Sequence, residues 1–202
     1  MKVKKFLKEW IPSILFVVIF VILFNFFVGS AKIVGDSMDP TLANGERVLV
    51  SKKSTIKRFD IVIAKEPGDV STTIVKRVIG LPGDKVSMKN DTLRVNNKVI
   101  EEDYLNKYKK LFENNELDTV EQNSFSQLIE NQPNFTSTFE TVVPDNEYLL
   151  LGDNRIISKD SRAFGCVSEN LIEGKCILVF WPFSNFQMLS LNLPLKQSRL
   201  TY

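Results

Sequence analysis

The stretch from Ile11 to Val28 is apolar except for Pro12, Ser13 and Asn25, and it follows four lysines, Lys2, Lys4, Lys5 and Lys8. A helix needs about 20 apolar residues to cross a bilayer. With Trp10 and Gly29 at its ends, this run is just long enough. Trp10 suits the membrane interface, and Pro12 falls in the first turn of the expected span, where a missing N–H does no harm. Lysines before the span predict a cytoplasmic N-terminus, with everything after Gly29 outside. A cleaved secretory leader is the competing reading, because Gly29-Ser30-Ala31 has the small residues of a cleavage site. The apolar run exceeds the usual leader core of about 7–15 residues, which favours an uncleaved anchor. The expected organisation is a cytoplasmic N-terminus at 1–9, an anchor at 10–29, an extracytoplasmic domain at 30–194 and a tail at 195–202.

Beyond the anchor the sequence predicts strands. Arg47–Ser51, Asp60–Lys65, Ile74–Gly80, Lys85–Lys89, Thr92–Val95, Lys98–Ile100, Glu147–Leu151 and Lys175–Trp181 are short, rich in Val, Ile and Leu, and separated by turn residues. Asn96-Asn97 reads as a tight hairpin turn and Pro82-Gly83 as a type II turn. The expected class is mainly β, an antiparallel domain behind a single transmembrane helix. The 101–143 stretch is polar and rich in Asn, with a helix-like segment at Tyr104–Asn114, and reads as an insertion or flap.

Composition narrows the chemistry. The chain has no histidine, which excludes a Ser-His-Asp triad and any zinc site containing His. A base working near neutral pH must then be a carboxylate, a Cys, a Tyr or a lysine of lowered pKa. The 26 basic and 24 acidic residues leave a net charge of +2, which gives no reason to expect nucleic-acid binding. Two cysteines, Cys166 and Cys176, are too few for a metal cage. They read as two part-buried thiols on neighbouring strands, with pairing left open for a domain outside the cell.

Three segments carry candidate chemistry. Gly35-Asp36-Ser37-Met38-Asp39-Pro40 places a serine on a turn between a flexible and a stiff residue, as an exposed nucleophile requires. Most such turns are only turns. In Thr73-Ile74-Val75-Lys76-Arg77-Val78-Ile79-Gly80, strand alternation puts Lys76 on a face with Ile74 and Val78 and Arg77 on the other with Val75 and Ile79. A lysine among branched aliphatics either snorkels from an edge strand or is buried. Burial can lower its pKa by up to about 3–5 units and make it a base. At its ordinary pKa only about one amine in 2,500 is neutral at pH 7. Gly152-Asp153-Asn154-Arg155-Ile156-Ile157-Ser158-Lys159-Asp160-Ser161-Arg162 packs turn formers with opposed charges. There an Asp160–Arg162 ion pair could fix the loop, which otherwise reads as a solvated turn.

Taken in order, these segments resemble the boxes of the bacterial type I signal peptidases. Ser37-Met38-x-Pro40-Thr41-Leu42 is similar to the nucleophile box, Arg58-x-Asp60-Ile61-Val62 to the next, and Lys76-Arg77-Val78-Ile79-Gly80-x-Pro82-Gly83-Asp84 to the lysine box. The segment from Gly152 to Arg162 is similar to the last. The resemblance runs from the anchor to about Phe183. It implies a membrane-bound serine endopeptidase that removes signal peptides from secreted preproteins after small residues, without cofactor or metal. Its partners would be those preproteins and the lipid bilayer, with no nucleic acid. Ser37 would be the nucleophile and Lys76 the general base, with Ser158 holding the amine. Asp160 and Arg162 would brace the last box, Arg77 would pair with Asp153, and Gly152 would allow close backbone approach. Ile33, Met38, Leu42, Ile74 and Val75 would wall a shallow substrate pocket, with core packing as the alternative for each. The Ser37 N–H would donate to the oxyanion. Some family members supply a second donor from a serine two positions earlier, where this chain has Gly35.

The rival readings are a self-cleaving Ser/Lys protease of the repressor type, a non-catalytic anchored assembly factor and a secreted β domain. The first lacks room here for a DNA-binding module, and the second has no need of both Ser37 and Lys76.

Overall fold

The computed structural model describes residues 2–114, 116–117 and 132–189. The tail at 195–202, the end of the domain expected at 30–194 and the middle of the 101–143 stretch therefore lie outside the described residues. Helix α1 (Lys2–Phe27) leads directly into strand β1 (Val28–Lys32). Within α1, Trp10–Phe27 has a mean hydropathy of 2.5 and none of it is buried among the described residues. Because the helix starts at Lys2, Pro12 lies in its interior rather than in its first turn. The helix there lacks one intrahelical hydrogen bond.

The remaining strands are β2 (Arg47–Ser51), β3 (Ile61–Glu66), β4 (Asp69–Gly80), β5 (Lys85–Lys89), β6 (Thr92–Val95), β7 (Lys98–Ile100), β8 (Phe139–Val142), β9 (Glu147–Leu151), β10 (Val167–Ser168), β11 (Ile172–Trp181) and β12 (Gln187–Met188). Two short helices, α2 (Asn106–Glu113) and α3 (Ser161–Phe164), accompany them. The main sheet runs β1-β2-β11-β3-β4-β9-β10 with β12 beside β11, and the smaller sheet runs β7-β6-β5-β8. Every pairing is antiparallel. The class is mainly β, as the strand pattern predicts. The small sheet folds because its turns match its residues. Asn96 and Asn97 take φ of 50° and 67° and Gly83 takes 80°, the left-handed values that hairpin and type II turns need.

Alternation supplies the layers. Val86, Met88, Leu93 and Val95 of the small sheet meet Ile79, Leu149 and Leu151 of the main sheet in one core. A second core joins Val48, Val50, Ile61, Ile63 and Val179 to Ile33, Met38 and Leu42 from the connection between β1 and β2. Each fully buried side chain of this kind contributes about 1.5–3 kcal/mol, so Met38 and Leu42 pin the turn that contains Ser37. Gly29, Ser30 and Ala31 lie within β1, paired with Val50, Leu49 and Val48. A cut after Ala31 would strip the sheet of all of that strand except Lys32.

Cys166 and Cys176 are both free and pack in different cores, with Cys166 outside any strand. This corrects the expectation of neighbouring strands. Burial pushes the Cys166 thiol up to about 11 and the Cys176 thiol up to about 12, so neither is a nucleophile at neutral pH.

Candidate active site

Ser37 follows an exposed link at Val34–Asp36 and opens a single turn. Thr41 and Leu42 both donate backbone hydrogen bonds to the Met38 carbonyl, at 2.9 and 3.0 Å. With Met38 and Leu42 buried beneath it, the turn presents Ser37 outward. The Asn154 N–H donates to the Ser37 carbonyl at 3.1 Å, and Thr41 Oγ1 donates to Asp153 at 2.5 Å. The Ser37 turn is therefore tied to the loop after β9 at two points.

Lys76 reaches this turn from β4. Its Nζ lies 2.8 Å from Ser37 Oγ, and the residue is 4% exposed. Burial lowers the amine from 10.5 to about 8, against the opposing pull of Asp160 and then Asp153. A pKa near 8 leaves about a tenth of the amines neutral at pH 7. The apolar neighbours are those that strand alternation predicts: Val78 is buried, and Ile74 packs into the same cluster with Val62, Ala64 and Leu150.

The loop from Gly152 to Arg162 surrounds the pair. Arg77, on the opposite face of β4 from Lys76, donates to Asp153 through Nε at 2.8 Å and Nη2 at 2.5 Å, and to the Phe59 carbonyl at 2.9 Å. Burial opposes the charge on Arg77, and Asp153 more than restores it. Asp160 accepts from Arg162 Nε at 2.8 Å and from the Gly152 N–H at 3.0 Å. Burial alone would raise this carboxyl, but Arg162 and the Gly152 N–H outweigh it and hold it low. At Gly152 a Cβ would stand 2.6 Å from the Ser37 carbonyl oxygen and run into the Ser158 side chain. Only glycine lets the loop approach Ser37 so closely.

Two expectations need correction. The Ser158 hydroxyl is buried beside Gly152, but it makes no hydrogen bond among the described residues, to Lys76 or to any other group. Ile33, Met38 and Leu42 are 2%, 1% and 0% exposed. They are core and offer no surface to a ligand, because anchoring the Ser37 turn consumes them. Ile74 packs in a different core from Val75, since the two alternate across β4. Of the five expected wall residues, Ile74 and Val75 are part-exposed, and Val75 sits against the core beneath Ser37.

Arg155, Glu102 and Tyr104 received no role from their residue types. Arg155 is 1% exposed and bonds Glu102, 4% exposed, from the far side of the 101–143 stretch. The Tyr104 ring lies 4.0 Å from the Arg77 guanidinium. A charged residue in a turn-forming segment reads as solvated, and nothing local reveals a partner some fifty positions away.

The family model described as signal peptidase, peptidase S26 matches residues 7–181. Signal peptidase IB of Staphylococcus aureus is 44% identical over 191 residues, covering 91% of this chain and 94% of that protein. Signal peptidase I of Streptococcus pneumoniae is 39% identical over 196 residues, covering 90% of this chain and 96% of that protein. A crystal structure of a signal peptidase I from Enterococcus faecalis aligns with a TM-score of 0.48 at 34% identity, over 60% of this chain and 97% of that one. The family match takes in the Ser37 turn, β4 and the loop after β9. The chain therefore belongs to the signal peptidase family, peptidase S26, and is a hydrolase.

Proposed function

We infer that this chain is a membrane-anchored serine endopeptidase that removes signal peptides from secreted preproteins after small residues, with Ser37 as nucleophile and Lys76 as general base. The observation that carries the reading is the 2.8 Å approach of a 4% exposed amine to a serine hydroxyl. Neutral Lys76 accepts the Ser37 proton as Oγ attacks the scissile carbonyl carbon. The protonated amine then gives that proton to the departing amine of the mature protein. A water attacks the acyl-enzyme ester with Lys76 again as base, and Ser37 is regenerated. The Ser37 N–H, which donates to no group among the described residues, is available to the oxyanion. At position 35 a side chain has room, but the backbone sits at φ +83°. Gly35 has no side chain to donate, and a serine there would be strained.

The anchor supports the location. α1 holds the domain against the bilayer in which a substrate's own apolar segment lies. The lysines before it favour a cytoplasmic N-terminus and an extracytoplasmic site. Trp181, Phe183, Phe186 and Met188 are about half exposed or more, which suits a face resting on lipid.

The test is cleavage of a synthetic precursor bearing an Ala-x-Ala site. Wild type is expected to cleave it, and Ser37→Ala and Lys76→Ala are expected to be folded and inactive. Normal turnover by the Lys76→Ala protein would remove lysine from the mechanism.

A further inference from the structure

The 101–143 stretch meets the catalytic loop through a buried polar cluster that the mechanism above does not use. Arg155 is its hub. Nε donates to the Gly152 carbonyl at 3.0 Å, Nη1 to Thr136 Oγ1 at 3.3 Å, and Nη2 to Glu102 and, at 3.1 Å, to Tyr104 Oη. Tyr104 Oη in turn donates to Glu102 at 2.6 Å. The Arg155 carbonyl accepts from Arg162 at 2.8 Å. Both ends of the loop, Gly152 and Arg162, are thus fastened to one residue, Gly152 to the Arg155 side chain and Arg162 to its backbone carbonyl.

An apolar clamp runs beside this cluster. Ile156 packs with Leu105, Tyr108, Leu117 and Phe135, four residues contributed by the 101–143 stretch. Ser137 accepts from Arg162 at 3.3 Å. The base of the stretch is itself fixed, because Asp91 accepts the backbone N–H groups of Phe135 and Thr136 at 2.9 and 2.7 Å. Glu102 and Arg155 are both buried and bear opposite charges, with Lys109 Nζ a second cation 3.9 Å from Glu102. Burial would raise the Glu102 carboxyl, and Arg155 holds it down.

We propose that Glu102 is a positioning residue for catalysis, acting through Arg155 and Gly152 to fix the distance between the Ser37 turn and the loop that surrounds Lys76. The proposal rests on the Ser37/Lys76 reading. Its route is short: Glu102 orients Arg155, and Arg155 holds the Gly152 peptide. Gly152 in turn packs against the Ser37 carbonyl oxygen and donates to Asp160. The described parts of the 101–143 stretch, 101–114, 116–117 and 132–143, then brace the active site. A misplacement of about 1 Å can cost a reaction on the order of 100-fold in rate, so loosening the brace lowers kcat and leaves substrate affinity little changed.

The experiment uses the full chain in detergent micelles with the Ala-x-Ala precursor, each variant assayed below its own Tm. Glu102→Gln is expected to lower kcat by about 10- to 100-fold with KM within about twofold. Arg155→Lys, which keeps the charge and loses the fork, is expected to do the same. The double variant is expected to be no worse than either single one, because the pair acts as a unit. Should Glu102→Gln fail to fold, Tyr104→Phe removes only the bridging hydroxyl and is expected to give a smaller fall in kcat at the same KM. Unchanged kcat in the folded Glu102→Gln or Tyr104→Phe protein, or losses that multiply in the double variant, would overturn the proposal. If Ser37→Ala and Lys76→Ala are inactive in the same assay, such a result removes the brace alone. If they are active, the dyad itself has failed.

Discussion

Lys76 is where sequence, stability and function conflict. Unfolded, its amine holds a proton up to 10.5; folded, only up to about 8. Between those values the unfolded chain binds more protons, so this residue's contribution to stability rises with pH across that window. Below about 8 the penalty is present in full, at roughly 3 kcal/mol. Replacing the amine with an apolar group of similar length removes the penalty together with the base. Lys76→Met is therefore expected to raise Tm by several degrees at pH 7 while abolishing cleavage, as thermal unfolding and the precursor assay would record. A Tm at or below wild type would mean that the amine is not held at a cost. The branched residues flanking Lys76 made its dry surroundings legible in the sequence. Its approach to Ser37 and to the charge of Asp160 was not, because no local pattern brings those segments together.

The decisive elements are β4 and the loop after β9. β4 sends Lys76 and Arg77 to opposite faces, and the loop meets both, Asp153 binding Arg77 while Asp160 lies near enough to Lys76 to pull on its proton. Contact at Gly152 sets the spacing. Gly152→Ala is expected to lower kcat on the order of 100-fold by pushing the Ser37 backbone away. The precursor assay measures this, and wild-type kcat in a folded Gly152→Ala protein would contradict it. The strand pattern was legible because short alternating runs between Asn, Gly and Pro turns leave little choice of class. Strands β1, β8, β10 and β12 were not. Val28 and Gly29 read as the end of the anchor, and Phe139–Val142 has only Phe139 packed against a core, so pairing partners rather than their own residues make them strands. Part of the expected substrate wall is core for a related reason. Met38 and Leu42 flank Ser37 in sequence, but their side chains are buried beneath its turn.

At the scale of the whole molecule, α1 and the domain are joined without a linker, since Phe27 ends the helix and Val28 begins the sheet. The domain's own cores do not involve the helix. A chain beginning at Val28 keeps β1 and is expected to fold. It is expected to cleave a short soluble peptide at a rate close to the full chain's, and to be much slower on a precursor held in vesicles. Equal rates on the vesicle-held precursor would deny the anchor its role. A helix long and apolar enough to span a membrane was legible from length and hydropathy, whereas the contact of the 101–143 stretch with the site was not, because it depends on pairs such as Glu102 and Arg155 that meet only in three dimensions. The central claim is that one buried amine is neutral enough to deprotonate Ser37. Its most direct test is the titration of the Lys76 side chain in the full-length Ser37→Ala protein with isotopically labelled lysine, the resonance being assigned by its absence in Lys76→Met. A midpoint near 8 is the predicted result. A midpoint at or above the ordinary 10.5 would contradict the claim.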